Sequence, residues 1–289
     1  MNVLEVRGLT KRYPAFTLNG VSFAVPEGAV MGFIGRNGAG KSTTLKSILG
    51  MVHPDGGEVK VFGMDYAANE RAIRRELGVV LGGIDFYPKK KIRVITDVTR
   101  RFYDNWDEGK YRHYLNLFAI DEEKRVDQLS SGMKVKYMIA LALSHNARLL
   151  ILDEPTSGLD PVSRSELTEL LRRIAADGQR SVLFSTHITS DLDSCADDIT
   201  YLQGGRVLQS RDKAGFLRAF DHLKRPEDTG ALTLEAPAVH AKGVDVVQLN
   251  TSLDYLRAGM ADQLGELPPD KAGLRHKGTV ELETERLRL

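Results

Sequence analysis

The feature that most constrains this sequence is the run GRNGAGKST at residues 35–43, which fits the pattern G-x-x-x-x-G-K-[ST]. It follows the apolar segment Val30–Ile34, which is typical of a short buried strand. Apolar residues at helical spacing continue to Leu49, so a helix is predicted to begin between Gly40 and Thr43. A strand, a glycine-rich loop and a helix in this order predict an α/β fold with a phosphate-binding loop, and therefore a chain that binds a nucleoside triphosphate.

The residue types in this loop suit phosphate chemistry. Glycines allow consecutive backbone N–H groups to close around phosphate oxygens, and the N-terminal dipole of the following helix favours an anion. Lys41 is predicted to meet the β and γ charges, and the Ser42 hydroxyl is predicted to ligate Mg²⁺. A glycine-rich turn without a ligand is the alternative. The candidate nucleotide contacts are Gly35, Asn37, Gly38, Ala39, Gly40, Lys41, Ser42 and Thr43.

Two carboxylates end a second apolar segment. Residues Arg148–Leu152 have the pattern of a buried strand, and Asp153 and Glu154 follow it directly. Open α/β sheets bind ligands at the carboxyl ends of their strands, so both acids are expected at such an edge. Asp153 is suited to hold the Mg²⁺ shell, and Glu154 is suited to orient and polarise the attacking water. A solvated strand end is the alternative interpretation.

A serine and a glycine stand at the start of a later helical segment. The run Leu129-Ser130-Ser131-Gly132-Met133 precedes an apolar-rich helical stretch at residues 134–143, which predicts a second anion site or, in isolation, only an N-cap. This run lies ahead of Asp153-Glu154 in the chain. At this point the chain resembles the ATPase subunits of ABC transporters, whose signature typically reads Leu-Ser-Gly-Gly-Gln.

The resemblance covers about residues 2–210, with its other marks in the expected order. Tyr13 matches the aromatic residue that stacks on adenine, Ser157-Gly158-Leu159-Asp160 matches the D-loop, and His187 matches the switch histidine. A histidine after a strand such as Ser181–Thr186 is alternatively structural. Asn105-Trp106-Asp107 adds to a finer resemblance to the ATPases of bacterial ABC-2-type exporters, which include antibiotic-resistance and lantibiotic-immunity pumps.

The resemblance implies a shared site in a head-to-tail dimer. Two ATPase subunits would close on ATP and Mg²⁺, and hydrolysis would release them and drive separate transmembrane permease subunits. A homodimer is sufficient, and a heterodimer stays open. The implied catalytic residues are Lys41, Glu154 and His187, the metal ligands are Ser42 and Asp153, and the remaining nucleotide contacts are Tyr13 and Asp160, with Ser130 and Gly132 supplied by the other subunit.

The chain departs from the family pattern at two places. Gly82 stands where the Q-loop glutamine is usual, so coupling through a side-chain amide is in doubt; Asp85 is a candidate substitute, with a solvated loop aspartate as the alternative. The signature carries Ser131 in place of glycine and Met133 in place of glutamine.

Composition agrees with a cytoplasmic subunit, and the resemblance implies a peripheral position on the cytoplasmic face of the cell membrane. The 289 residues include 40 Lys and Arg against 39 Asp and Glu, and this balance does not indicate a nucleic-acid partner. The sequence shows neither an apolar stretch of spanning length nor a secretory signal at its start. The single cysteine, Cys195, excludes an internal disulfide and a cysteine-based metal cluster. The basic run Lys89-Lys90-Lys91 is interpreted as a solvated face, or alternatively as a contact with lipid head groups or a permease.

The predicted architecture is a P-loop NTPase core with an antiparallel β subdomain, an inserted helical subdomain and a small C-terminal α+β extension. Alternating segments at residues 2–30 and 56–63 predict antiparallel strands, and residues 86–146 are predicted to be mainly helical. The ATPase domain is expected to span residues 1–210 and the extension residues 211–289. The extension has an unknown role and is predicted to hold strands at 229–235, 243–249 and 278–285 and a helix at 252–264.

Two other functions stay open from the sequence. The first is a soluble ABC-type clamp or nucleotide switch on ribosomes or DNA, without a transport role; one P-loop, no internal repeat and no sustained heptads argue against it. The second, motivated by Gly82, is a nucleotide-binding regulator with little turnover. The transported substrate and the direction of transport are not encoded in these motifs.

Overall fold

The computed structural model describes residues 1–81 and 87–219. The chain divides into two compact units, Met1–Phe216 and Leu217–Leu289, and the fold described here is that of the first. The Q-loop positions Gly82 and Asp85 and the strands and helix predicted beyond residue 219 lie outside the described residues.

The described residues form two sheets, with helices between and after their strands. The strands are β1 Asn2–Tyr13, β2 Phe16–Pro26, β3 Val30–Ile34, β4 Gly56–Val61, β5 Met64–Asp65, β6 Leu77–Val80, β7 Leu149–Asp153, β8 Ser181–Thr186, β9 Asp198–Gln203 and β10 Arg206–Asp212. The helices are α1 Lys41–Ile48, α2 Tyr66–Arg75, α3 Ile92–Thr99, α4 Glu108–Leu117, α5 Ser131–Ser144, α6 Pro161–Ala175, α7 Thr189–Cys195 and α8 Lys213–Ala219.

The larger sheet has six strands in the order β10-β9-β3-β8-β7-β6. The neighbouring pairs from β9 to β6 are parallel, and β10 joins one edge antiparallel to β9. Every residue of β3, β7 and β8 is buried, which accounts for their continuous apolar runs. Because β3, β8 and β7 are adjacent and parallel, their carboxyl ends lie side by side at one edge of the sheet.

The smaller sheet is antiparallel, with the order β2-β1-β4-β5. Its buried face packs on β3 and α1, and the rings of Phe23 and Phe33 stack with centroids 5.1 Å apart. Leu45 and Ile48 of α1 are fully buried in the same core. The far end of α1 is held by the Tyr66 hydroxyl, which donates to the Leu49 carbonyl at 2.7 Å. The helix that follows the phosphate-binding loop is therefore fixed between the two sheets.

The helical segment between β6 and β7 has a core of its own, formed by α3, α4 and α5. Its centre is a buried chain of hydroxyls. The Tyr111 hydroxyl donates to Glu122 at 2.9 Å, and the Thr96 hydroxyl shares hydrogen bonds with the hydroxyls of Tyr111 and Tyr137, each at 2.8 Å. Tyr111 and Leu115 of α4 are buried in this core.

The basic run at the entrance to this segment lies on the surface. Lys91 and Arg93 pair with Glu123 at 2.7 and 3.3 Å, and Lys89 lies 3.4 Å from Asp127. These pairs agree with a solvated face. Among the residues that the structure describes, no helix has both the length and the apolar character that crossing a bilayer requires.

Candidate active site

The site lies where β3, β8 and β7 end. In the parallel ladders Ile34 is opposite Thr186, and Asp153 is opposite Ser185. The phosphate-binding loop leaves β3, Asp153-Glu154 closes β7 and His187 follows β8, so the sheet register alone brings three separated motifs to one edge. This is the edge at which open α/β sheets bind ligands.

The phosphate-binding loop has a backbone that glycine makes possible. Gly38 and Gly40 have φ values of +81° and +107°, in the left-handed region that disfavours side chains. A Cβ at Gly35 would lie 2.5 Å from the Leu202 carbonyl oxygen. Helix α1 then begins at Lys41 with no side-chain cap. Its first amides are therefore available to an anion, which fits the predicted phosphate site.

Lys41 is buried at the centre of the loop, with only 4% of its side chain exposed. Its ammonium donates to the Gly35 carbonyl at 2.7 Å and to the Arg36 carbonyl at 3.3 Å, and it pairs with Glu154 Oε1 at 3.1 Å. One cation thus joins the phosphate-binding loop to the carboxylate at the end of β7.

Asp153 and Glu154 are held by one hydroxyl. Ser185 donates to Asp153 Oδ1 at 2.6 Å and accepts the Glu154 N–H at 2.9 Å. Asp153 is buried, and Glu154 has φ +48°, a left-handed conformation that costs free energy in a non-glycine residue. The Ser185 hydroxyl therefore fixes the direction of the Asp153 carboxylate and stabilises the strained backbone of Glu154.

The Glu154 side chain lies between two potential cations. Oε1 pairs with Lys41, and Oε2 lies 3.4 Å from His187 Nδ1. Partial burial tends to raise the pKa of Glu154, but the hydrogen bond and charge of Lys41, with His187 adding to them, outweigh burial, so the pKa lies below its ordinary value. Glu154 is therefore an ionised carboxylate at neutral pH, with the two predicted catalytic partners in reach.

The donors present fit a divalent cation beside the phosphates. Asp153 supplies a buried carboxylate at the end of β7, and Ser42 is the residue after Lys41 in α1. An oxygen set of carboxylate and hydroxyl, completed by phosphate oxygens and water, is the coordination that Mg²⁺ prefers.

Tyr13 lies at the tip of the antiparallel sheet, where it pairs with Phe16 across the β1–β2 turn. Its side chain is 42% exposed, and Lys11 Nζ lies 5.8 Å from its ring centroid. A Cβ at Gly40 would lie 2.7 Å from the Phe16 ring, so this hairpin reaches the phosphate-binding loop. The position suits the adenine contact predicted for Tyr13.

The signature residues pack against their own D-loop. Ser130 accepts the Met133 N–H at 3.2 Å and caps α5. A Cβ at Gly132 would lie 3.6 Å from Ser163 and 3.7 Å from Leu159. Gly132, a buried residue at the start of α5, therefore lies next to the D-loop of its own chain.

Asp160 has a structural contact in its own chain. Its Oδ1 accepts the N–H groups of Val162 and Ser163, each at 3.0 Å, and so caps α6. Hydrogen bonds from Ser163 lower the pKa of Asp160. A nucleotide contact of this residue across a dimer stays a prediction.

Three residues that the sequence motifs did not single out complete the site. They are Ser185, Thr156 and Asp191; the last accepts hydrogen bonds from Thr156 and Thr186. The available signals were a serine within the apolar run of β8 and an acid on the buried face of α7. Neither signal reveals its partner, because each partner belongs to another strand or loop.

Comparisons with known proteins agree with this geometry. The family model described as "ABC transporter" matches residues 18–157. The bacitracin transport ATP-binding protein of Bacillus licheniformis is 31% identical over 226 residues, covering 77% of this chain and 72% of that protein. This chain belongs to the ABC transporter ATP-binding family. The Nod factor export ATP-binding protein I of Burkholderia orbicola is 35% identical over 211 residues, or 71% of this chain and 69% of that protein.

A solved structure of an ATP-binding subunit of an ABC transporter superposes with a TM-score of 0.68 at 30% identity, covering 75% of this chain and 93% of that one. The fold expected of an ABC ATP-binding subunit is thereby confirmed for the described residues: a P-loop core, an antiparallel sheet and a helical segment. The family binds ATP, and its relatives in this comparison include ATP-binding proteins of bacitracin transport and of Nod factor export.

Proposed function

We propose that this ABC ATP-binding subunit hydrolyses ATP and drives export through separate membrane permease subunits. The observation that carries the proposal is the contact of Glu154 with both Lys41 and His187 at the shared strand edge. The names of the similar proteins, which concern bacitracin transport and Nod factor export, support the export role.

The roles follow from the geometry. The Lys41 ammonium and the first amides of α1 bind the phosphates, and Tyr13 stacks on the base. Glu154, ionised and held in a fixed backbone conformation, accepts a hydrogen bond from the attacking water and orients it. His187 holds the other carboxylate oxygen of Glu154 and donates toward the γ-phosphate. Mg²⁺, bound through Ser42 and Asp153, would neutralise phosphate charge.

The second half of the site comes from another subunit. The N-terminus of α5, with Ser130 as its cap and Gly132 in its first turn, would supply the other anion site. In a head-to-tail dimer these residues of one subunit would meet the γ-phosphate bound by the other. Closure would then depend on ATP, and hydrolysis would release it, which provides the movement that a permease on the cytoplasmic side of the membrane requires.

The dimer is tested with Glu154→Gln by light scattering, with and without Mg-ATP. We expect ATP to double the mass of this variant. Adding Ser130→Asp should prevent doubling while ATP still binds, because aspartate caps a helix as well as serine does but repels a phosphate. A Glu154→Gln variant that binds Mg-ATP and remains monomeric would contradict the shared site.

Hydrolysis is tested by phosphate release from the same proteins. Glu154→Gln should lose about 100-fold or more in kcat, the scale expected for a positioned base. Glu123→Gln, an exposed glutamate of the helical segment, is the control and should keep the wild-type rate. Equal rates in wild type and Glu154→Gln would refute the role of Glu154.

The membrane role is tested by cross-linking in the native host followed by fractionation. Recovery of the chain with membrane proteins supports a permease partner. Recovery with ribosomes alone would favour the soluble clamp instead.

A further inference from the structure

Asp191 of α7 is a buried carboxylate outside the motifs already assigned. Only 1% of the residue is exposed. Its Oδ2 accepts the Thr156 hydroxyl at 2.6 Å and the Thr186 hydroxyl at 2.9 Å. One oxygen atom therefore joins two segments that are 30 residues apart in the sequence.

The two segments are those that carry the chemistry. Thr156 follows Glu154 by two residues and begins the turn into the D-loop, where Ser157 N–H donates to the Glu154 carbonyl at 3.1 Å. Thr186 directly precedes His187, and its hydroxyl oxygen also accepts the Ile188 N–H at 2.9 Å. Through these hydrogen bonds, Asp191 connects the turn after Glu154, which leads into the D-loop, to the backbone on both sides of His187.

Burial of the Asp191 carboxylate costs free energy, so a role in packing alone does not account for it. The second oxygen of Asp191, Oδ1, is buried with no hydrogen-bond partner in the described part of the chain, and none of the ion pairs found there includes Asp191. A buried carboxylate without a cation is unfavourable unless hydrogen bonds hold it, and within residues 1–81 and 87–219 these bonds come from Thr156 and Thr186. The two threonines and the carboxylate therefore form a closed unit.

On the basis of the ATP hydrolysis proposed above, we propose that Asp191 is a positioning residue that couples the D-loop to the switch histidine. When the D-loop moves, the Thr156–Asp191–Thr186 link transmits the movement to His187, and it keeps His187 beside Glu154 when the D-loop is in place. Asp191 does not touch the reacting atoms and acts through its two partners.

The test is a double-mutant cycle on ATP hydrolysis with Thr156→Val and Thr186→Val. Valine keeps the shape of threonine and removes one hydroxyl. We expect each single variant to lose about tenfold in kcat with KM for ATP within about twofold, and the double variant to lose little more than a single one, because either change breaks the same link. Thr168→Val is the matched control, because the hydroxyl of this buried residue donates to the Ser165 carbonyl of the same helix, α6, at 3.0 Å; its kcat should not change.

Asp191 itself is tested by Asp191→Leu and Asp191→Asn. Leucine removes the acceptor and should reproduce the loss in kcat, whereas asparagine keeps one oxygen acceptor and should restore kcat to within about threefold of wild type. If Asp191→Leu fails to fold, the threonine cycle alone decides.

Two results would overturn the coupling while leaving ATP hydrolysis intact. One is a kcat loss in the double threonine variant equal to the product of the single losses, which signifies independent contributions. The other is a lower unfolding midpoint of the threonine variants with an unchanged kcat, which would mean that the two hydroxyls contribute only to stability. A wild-type chain without turnover would instead refute the proposed function, and the coupling with it.

Discussion

Ser185→Ala offers the sharpest test of how the site is held. The substitution removes one oxygen atom that serves two residues: it donates to Asp153 Oδ1 at 2.6 Å and accepts the Glu154 N–H at 2.9 Å. Alanine leaves the strand β8 and its packing in place. Any effect of Ser185→Ala on nucleotide binding or stability should therefore arise from Asp153, the carboxylate that is suited to hold Mg²⁺, and from the backbone of Glu154.

The magnitude can be worked out from these two bonds. A hydrogen bond to a charged acceptor contributes about 1.5–3 kcal/mol, and a partly buried N–H left without an acceptor costs about 1–3 kcal/mol. Because the two effects share one atom and water can enter, we expect a loss of about 2–4 kcal/mol in unfolding free energy. Freeing the Asp153 carboxylate should weaken the Mg²⁺-dependent part of ATP affinity about 10–100-fold, the range for groups that orient metal ligands.

The assay compares nucleotide affinity with and without Mg²⁺ and adds urea unfolding. Ser181→Ala is the matched control, because Ser181 begins the same strand, is fully buried and accepts the Gly28 N–H at 2.9 Å. It should lose about 1 kcal/mol of stability, since one backbone bond is removed, and keep the wild-type dependence on Mg²⁺.

The decisive quantity is the ratio of the ATP affinity measured with Mg²⁺ to the ATP affinity measured without it. If Ser185→Ala lowers ATP affinity equally with and without Mg²⁺, or changes neither, the orientation of Asp153 by Ser185 does not matter for metal binding. A loss of stability equal to that of Ser181→Ala would show that the bond to Glu154 or to Asp153 contributes little.

Three further perturbations test other parts of the unit. Lys41 lowers the pKa of Glu154, so the stability gained from ionised Glu154 is fully present above the ordinary pKa of 4.5 and is lost as the pH falls through the lower pKa of the folded protein. In urea unfolding, the stability difference between wild type and Glu154→Gln should shrink over that pH range, and a constant difference would contradict this expectation. Thr96→Val interrupts the buried hydroxyl chain of the helical segment and should cost about 1–3 kcal/mol in the same assay without changing ATP affinity; no loss would mean that the tyrosine hydroxyls find other partners. Gly35→Ala places a methyl group 2.5 Å from a backbone oxygen and should abolish ATP binding, whereas Gly56→Ala, with nothing within 4 Å, should bind normally in a fluorescent-nucleotide titration.

The sequence motifs predict the parts of this site whose chemistry is local. The phosphate-binding loop, its flanking strand and helix and the Asp153-Glu154 pair are each contained in a few consecutive residues, so spacing and residue type are sufficient. The motifs predict Lys41 and Glu154 separately, the family resemblance implies His187, and the parallel register of β3, β8 and β7 explains why the three meet.

The supporting residues could not be predicted in this way. The role of Ser185 depends on its pairing with Asp153 across two strands, and that of Asp191 depends on how α7 packs beneath two loops. A serine in a strand or an acid in a helix has many possible partners, and only the tertiary structure selects one. The left-handed backbone of Glu154 is likewise invisible in the sequence, because it results from contacts and not from glycine.

Lys41 contacts Glu154 and is predicted to bind the phosphates, so nucleotide binding should change the pKa of Glu154. The ammonium that would meet the phosphates holds Glu154 Oε1 at 3.1 Å and lowers its pKa. When phosphates compete for Lys41, Glu154 loses its strongest stabilising contact and gains negative neighbours, and both effects raise its pKa. We therefore expect Glu154 to become a better hydrogen-bond acceptor for water only after nucleotide binds. Infrared titration of ¹³C-labelled glutamate, read as the difference from Glu154→Gln, should show a higher pKa with ADP than without it. An unchanged or lower value would mean that Lys41 does not control Glu154.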